Sequence, residues 1–335
     1  MGLGSTRRTV LITGAAGFLG SHLAERLLDE GYEVVGLDNL MTGDLANLRG
    51  VERDPHFHLE IGDVRDRLPV YAEIIFNFAC PASPIHYQSD PHATLTTSML
   101  GAMRLLEHAR TRKVRIVHAS TSEVYGDPLE HPQKETYWGH VNPVGERACY
   151  DEGKRVAETI LMDARRLHGA DTRLVRIFNT YGPRMALNDG RVVSNFIRQV
   201  IEDEPITVYG DGSQSRSFCY VSDLVDGIVK MGMLPQAEHP IVNLGNPREL
   251  TMHELAETVM KVADKRVEVV RRPLPSDDPR RRCPDITLAR KMLGFEPRVP
   301  LEDGVAATYR DFQERLGQVP PKAANSKRRL VAAVG

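Results

Sequence analysis

The chain has 335 residues, 41% of them hydrophobic and 26% charged, with a formal net charge of −2 and a pI near 6.6. That length can bury a substantial core in one or two domains, and the balanced charge excludes the basic field that nucleic acid or an anionic membrane surface would call for. The four cysteines, Cys80, Cys149, Cys219 and Cys283, show neither a C-x-x-C pair nor metal-ligand spacing, so no metal and a reduced, cytoplasmic setting are expected.

The first element in chain order is an apolar β-branched run, Val10 to Thr13, which predicts a buried strand. Gly14, Gly17 and Gly20 follow at three-residue intervals, and an amphipathic helix starts at Phe18 and Leu19. Glycines between a strand and a helix let the backbone turn tightly and bring a pyrophosphate onto the helix amides. A second strand, Glu33 to Leu37, ends in Asp38. A carboxylate there accepts hydrogen bonds from the adenosine ribose and repels a 2′-phosphate, so NAD is predicted rather than NADP. Asn39, Thr42 and Gly43 in the following loop join this cofactor set. Asp63, with Val64, follows a third short strand and is placed to meet the adenine.

Strands are expected at Ile74 to Ala79, Val114 to Ala119 and Arg173 to Phe178, each leading into a polar loop. Gly14, Asp38, Ala79, Thr121 and Asn179 thus fall at carboxyl ends of strands, where open α/β sheets bind ligands, and should converge on one crevice. Beyond residue 180 the pattern loosens. Short strands are expected at Ile206 to Gly210 and Ser217 to Val221, and Thr251 to Glu254 spells a capping box. The fold class is therefore α/β, a Rossmann-type doubly wound parallel sheet with a smaller C-terminal α/β substrate lobe. Residues 1–178, rejoined by about 217–245, form the NAD-binding domain, 179–216 and 246–317 the second lobe, and 318–335 a disordered tail. No apolar run approaches the roughly 18 residues of a membrane span.

Tyr150 and Lys154 stand four apart in Y-D-E-G-K, 27 residues after Glu123 in S-T-S-E-V-Y-G. On a helix this spacing puts both side chains on one face. A free phenol has a pKa near ~10, and an adjacent ammonium should draw it down toward working pH, making Tyr150 a base.

The glycine triplet, Asp38, T-S-E-V-Y-G and Y-x-x-x-K, in that order, resemble the extended short-chain dehydrogenase/reductases that act on nucleotide sugars, from about residue 9 to 316. Longer blocks, among them A-S-T-S-E-V-Y-G-D-P, Y-W-G-H-V-N-P-V-G-E-R-A-C-Y-D-E-G-K-R-V-A-E-T, N-D-G-R-V-V-S-N-F-I and V-Y-G-D-G-S-Q-S-R-S-F, are similar to UDP-glucuronate decarboxylases (UDP-xylose synthases). The resemblance implies oxidation at C4 of the sugar by NAD, loss of carbon dioxide from the 4-keto uronate, and return of hydride to give UDP-xylose. It implies that Tyr150 and Lys154 serve the 4-hydroxyl together with Thr121. Glu123 would position the uronate carboxylate or relay the C5 proton, with Ser122 hydrogen-bonding nearby.

Arg282, rather than Arg280 or Arg281, matches the arginine of the family's D-D-P-x-x-R-x-P-D segment and would grip carboxylate or diphosphate. Asn179 would contact substrate, Thr180 and Arg191 the cofactor, with Arg191 on its pyrophosphate. Asn195 joins the substrate set, and Tyr209 and Arg216 would wall the uridine diphosphate pocket. A homodimer through helices near 94–110 and 150–168 is also implied. Ala93 and Thr96 depart from the family by replacing lysines, the second expected near the substrate, which leaves a variant uronate or nucleotide open. The competing functions are a UDP-uronate 4-epimerase, a 4,6-dehydratase, and a non-catalytic NAD-binding regulator. Ser122 stands where dehydratases carry an aspartate and argues against the dehydratase, Glu123 against the epimerase, and the intact Tyr150 and Lys154 against the regulator.

Overall fold

The computed structural model describes residues 7–317 except 67, 69–71, 111–112 and 274–280. The tail expected at 318–335, and Arg280, lie outside the described residues. The apolar runs form β1 (Thr9–Thr13), β2 (Glu33–Asp38), β3 (Phe57–Ile61), β4 (Ile74–Asn77), β5 (Arg115–Thr121) and β6 (Thr172–Ile177). Between them lie α1 (Phe18–Asp29), α2 (Pro84–Ser89), α3 (Pro91–Arg110) and α4 (Ala148–His168). The second half contributes β7 (Thr180–Tyr181), α5 (Val192–Ile201), β8 (Ile206–Tyr209), β9 (Ser215–Ser217), β10 (Cys219–Tyr220), α6 (Val221–Met233) and β11 (Ile241–Leu244). It closes with β12 (Glu249–Thr251), α7 (Met252–Ala263), β13 (Val269–Arg272), β14 (Arg281–Arg282), α8 (Thr287–Leu293) and α9 (Leu301–Arg315).

The main sheet runs β11-β6-β5-β4-β1-β2-β3 with every neighbouring pair parallel. Because side chains alternate along a strand, β1 serves both faces. Leu11 joins Ile75, Ile116, Leu105 and Leu161 under α3 and α4. Val10 and Ile12 join Phe76, Leu23, Ile228 and Phe295 under α1, α6 and α8. Such two-faced burial explains the continuous hydrophobic runs of a parallel sheet. Thr13 pairs with both Leu37 and Asn77, so the strand ends are level. Strand order reverses about β1, which opens a crevice at this carboxyl edge.

A separate core gathers Phe196, Ile197, Val208, Leu255, Val259, Val305 and Phe312 from α5, β8, α7 and α9. At the start of α7 the capping box forms: Glu254 N donates to Thr251 Oγ1 at 3.2 Å and Thr251 N to Glu254 Oε2 at 2.7 Å. Two expected strands are shorter or divided. The strand predicted to reach Ala79 stops at Asn77, because Ala79 N donates to the Thr13 hydroxyl instead of a neighbouring strand. The Ser217 to Val221 strand splits at Phe218, which turns into the second core; β9 pairs with β12 and β14, β10 with β7, and Val221 already opens α6.

Candidate active site

The carboxyl edge of the sheet opens into a cleft of about 1390 Å³, larger than a typical single-ligand pocket of ~300–1,000 Å³. At one end lies the β1–α1 turn. Gly17 caps α1 with no side chain of its own, so the helix amides face the cleft from Phe18, Leu19 and Gly20. A Cβ on Gly20 would sit 2.0 Å from the Gly14 carbonyl oxygen, so only glycine lets the helix approach this closely. Asp38, 7% exposed, ends β2 and accepts from Ala16 N at 2.9 Å and Leu40 N at 2.8 Å. Burial nevertheless pushes its carboxyl above the ordinary value. Asn39, Thr42, Gly43, Asp63, Val64 and Ala79 line the same end. The uncapped helix terminus, the close-packed glycines and the buried Asp38 together fit a dinucleotide.

Asp63 is less open to an adenine than its position suggested. Arg65 grips its carboxylate, holding it down at about 2, and Asn39 Nδ2 donates to it at 2.9 Å. The same Arg65 donates to Thr96 Oγ1 at 3.3 Å. Thr96 therefore stands beside Asp63 and Arg65, and it is Thr97 that lines the cleft.

At the other end β5 delivers Thr121 and runs into the Ser122–Tyr125 turn. Thr121 Oγ1 accepts from Glu123 N at 3.2 Å and its side chain hydrogen-bonds the Tyr150 phenol. The turn ends at Gly126, whose φ of +62° and close approach to the His140 carbonyl exclude a side chain. Tyr150 and Lys154 share a face of α4, with Nζ 5.8 Å from the ring centroid. Lys154 Nζ donates to the Ala119 carbonyl at 2.8 Å. The expected depression of the phenol is not found: burial pushes Tyr150 above its ordinary value, and burial likewise lowers Lys154. Desolvation outweighs the ammonium here because both groups are sealed from water.

Glu123 is clamped by two arginines: Arg147 Nη2 lies 2.6 Å from Oε2, and Arg282 Nη1 donates to Oε1. Burial alone would raise this carboxyl, but Arg282 and Arg147 bring it down to about 2. Arg282, 4% exposed, also donates to the Gly126 carbonyl at 3.0 Å, while its Nε is buried without a hydrogen-bond partner. The arginine expected to grip substrate thus grips Glu123 first, because β14 lays it alongside β9 and over the turn. Arg191 lines the cleft with its guanidinium held by Asp189, at 2.8 Å for Nη2, and near enough to Tyr150 for the two to interact electrostatically. Asn179, Thr180, Asn195, Tyr209 and Arg216 line the wall toward the second core. Of these, the Asn195 amide donates to the Gly190 carbonyl at 2.9 Å, and the Thr180 hydroxyl to the Phe178 carbonyl at 2.9 Å.

A family model described as GDP-mannose 4,6 dehydratase matches residues 11–308. UDP-glucuronic acid decarboxylase 1 of Arabidopsis thaliana is 50% identical over 318 residues, which are 94% of this chain and 72% of the relative. The chain belongs to the UDP-glucuronic acid decarboxylase family. The protein so named from Danio rerio is 47% identical over 329 residues, 96% of this chain and 78% of the relative. Among solved structures, UDP-glucuronic acid 4-epimerase from Bacillus cereus, in complex with UDP-glucuronic acid and NAD, superposes with a TM-score of 0.81 at 25% identity, covering 92% of this chain and 99% of that one.

Sequence reasoning missed three residues of this decarboxylase-family site. Arg147 precedes Tyr150 by one helical turn, a spacing that signals proximity to the tyrosine but not to Glu123. Tyr87 on α2 stacks on Tyr150 with centroids 5.0 Å apart and an interplanar angle of 7°. Asp151, beside the catalytic-motif tyrosine, is buried with Oδ1 unpartnered, and burial followed by the Glu123 charge pushes it up to about 7. Nothing local in the sequence marked Tyr87 or Asp151.

Proposed function

We infer that this chain is an NAD-dependent UDP-glucuronate decarboxylase that forms UDP-xylose through a 4-keto intermediate. The observation that carries the assignment of roles is the clamp of Glu123 by Arg147 and Arg282 next to the Thr121–Tyr150–Lys154 group. Ser122 precedes Glu123, so the position at which a 4,6-dehydratase carries its aspartate holds no carboxylic acid, which disfavours a 4,6-dehydratase. Two guanidinium charges and one carboxylate leave a net of 2 − 1 = +1, the complement of one uronate carboxylate.

NAD, which the β1–α1 glycine turn and Asp38 would hold, would supply the acceptor and donor for the C4 hydride. Tyr150 takes the proton of the 4-hydroxyl, with Thr121 fixing the phenol and Lys154 supplying a positive field. For that step the phenol must first give up its own proton, which burial opposes and the Lys154 charge favours. The protonated form is the one that returns a proton to the 4-oxygen when the ketone is reduced. Carbon dioxide leaves because the carboxylate is β to the ketone, so its electrons pass into the carbonyl as an enolate. Held at about 2, Glu123 stays ionised at working pH; its role is to aim the two arginines rather than to relay the C5 proton.

We divide the chain as its cores suggest, with the glycine-loop end serving NAD and the wall of Asn179, Asn195, Tyr209 and Arg216 serving the UDP-sugar. A homodimer through α3 and α4 is supported by Leu100, Met103 and Leu167, large apolar side chains exposed on those helices. No helix among the described residues is long and apolar enough to cross a membrane. Four free cysteines fit a reduced, cytoplasmic compartment.

The test is incubation with UDP-glucuronate in deuterated buffer, followed by proton NMR. UDP-xylose carrying deuterium at C5, without net NADH, is expected. UDP-galacturonate as the product would mean an epimerase and overturn the reading of Ser122 and Glu123.

A further inference from the structure

Beneath the turn that carries Glu123 runs a buried polar network that none of the steps above uses. Glu158, one helical turn beyond Lys154 on α4, accepts from the Ser120 hydroxyl at 2.5 Å. It also takes both sides of the Arg176 guanidinium, Nε at 2.9 Å and Nη2 at 2.7 Å. Arg176 Nη1 donates onward to the Tyr125 hydroxyl and to the Glu135 carbonyl, each at 3.0 Å. The Tyr125 hydroxyl donates to Asn243 Oδ1 at 2.8 Å. Asn243 Nδ2 donates to the carbonyls of Gln133 and Asp285, and Gln133 Oε1 accepts from Cys283 N at 2.9 Å. The chain of bonds therefore starts next to Thr121, passes under Glu123, and ends on the residues that follow Arg282.

Every side chain in it is at most 9% exposed, and none leaves a buried polar atom unpartnered. A buried ion pair is a weak stability device, since apolar residues of equal volume often do as well. A fully satisfied network, in contrast, specifies a single arrangement of the segments it joins. The two segments joined here, the 121–126 turn and residues 282–285, which leave β14, have no other covalent or sequence proximity. They are also the two that must meet for Glu123 and Arg282 to pair.

We propose that Glu158, Arg176, Tyr125 and Asn243 are a positioning unit for the decarboxylation half of the reaction, holding the Glu123–Arg282 pair in register with the sugar; the proposal rests on the decarboxylase reading of that site. Tyr150 and Lys154 make their own hydrogen bonds, with Thr121 and the Ala119 carbonyl. The network meets them only at its Ser120–Glu158 end, whereas its Tyr125–Asn243 end lies between the 121–126 turn and the residues after Arg282. Loosening it should let turnovers stall after oxidation. Each turnover that stalls there releases one 4-keto uronate nucleotide and one NADH, the electrons of C4 remaining on the cofactor. The free β-keto acid then loses carbon dioxide in solution to leave the 4-keto pentose.

Tyr125→Phe removes one hydroxyl, the bridge between Arg176 and Asn243, and keeps the ring in its core. Wild type and variant are compared with UDP-glucuronate for UDP-xylose formation by NMR, released ketone and NADH, NAD affinity by calorimetry, and thermal midpoint. The expectation is a kcat lower by roughly tenfold to a hundredfold, as for a displacement on the order of 1 Å. KM and NAD affinity should stay within about twofold, and the share of turnovers ending in ketone and NADH should rise. An unchanged share in Tyr125→Phe, whether or not turnover falls, overturns the proposal and leaves the network structural. Absence of UDP-xylose from the wild type would instead sink the decarboxylase assignment.

Discussion

Replacing Glu123 by Gln removes the charge that two arginines share while keeping the shape of the side chain. Its carboxyl moves from an ordinary 4.5 to about 2 in the folded protein, which corresponds to about 3 kcal/mol of stabilisation. The geometry leads to a similar figure. Arg282 is 4% exposed and the Glu123 side chain 15%, and stranding a buried charge costs ~3–5 kcal/mol, less where the cleft admits water, as at Arg147 with 17% exposure. The sign follows from the direction of the shift. A depressed carboxyl stabilises above its unfolded value, and that contribution fades as pH falls from 4.5 toward 2. Urea titrations of wild type and variant, followed by circular dichroism, should differ by about 3 kcal/mol at pH 7, equivalent to roughly 5–10 °C in thermal midpoint. The gap should begin to narrow below about pH 4.5 and close only near pH 2. Equal stability at neutral pH, or a gap that persists into acid, would refute the clamp as the origin of the ionised Glu123.

Tyr150→Phe should cost roughly 10²–10⁴ in kcat while calorimetric affinities for NAD and UDP-glucuronate stay near wild type; a variant that still turns over at the wild-type rate would remove Tyr150 from the chemistry. Asp151, pushed up from 3.8 to about 7 by burial and by Glu123, binds its proton more tightly folded than unfolded, so wild-type stability should fall as pH rises from about 4 to about 7. Asp151→Asn should flatten that slope and gain up to about 4 kcal/mol over wild type at pH 8. Parallel denaturation profiles of the two chains across this range would contradict it.

Whatever depends on neighbours in the chain was legible from the amino-acid order. The run from Val10 to Gly20, the acid ending β2, the Thr251 capping box and the i, i+4 pair of Tyr150 and Lys154 all follow from periodicity, glycine sterics and helix geometry over fewer than a dozen residues each. Convergence of the strand ends on one crevice was legible too, since parallel sheets place their carboxyl termini on a common edge. The ionic state of the site was not. Glu123 and Arg282 are separated by 159 positions and Glu123 and Arg147 by 24, and their pairing is decided by β14 lying on β9 and by the start of α4. The direction of the Tyr150 shift was likewise hidden, because desolvation is a property of the packed interior: a spacing places Lys154 near the phenol, but only the tertiary structure shows that both groups are sealed from water.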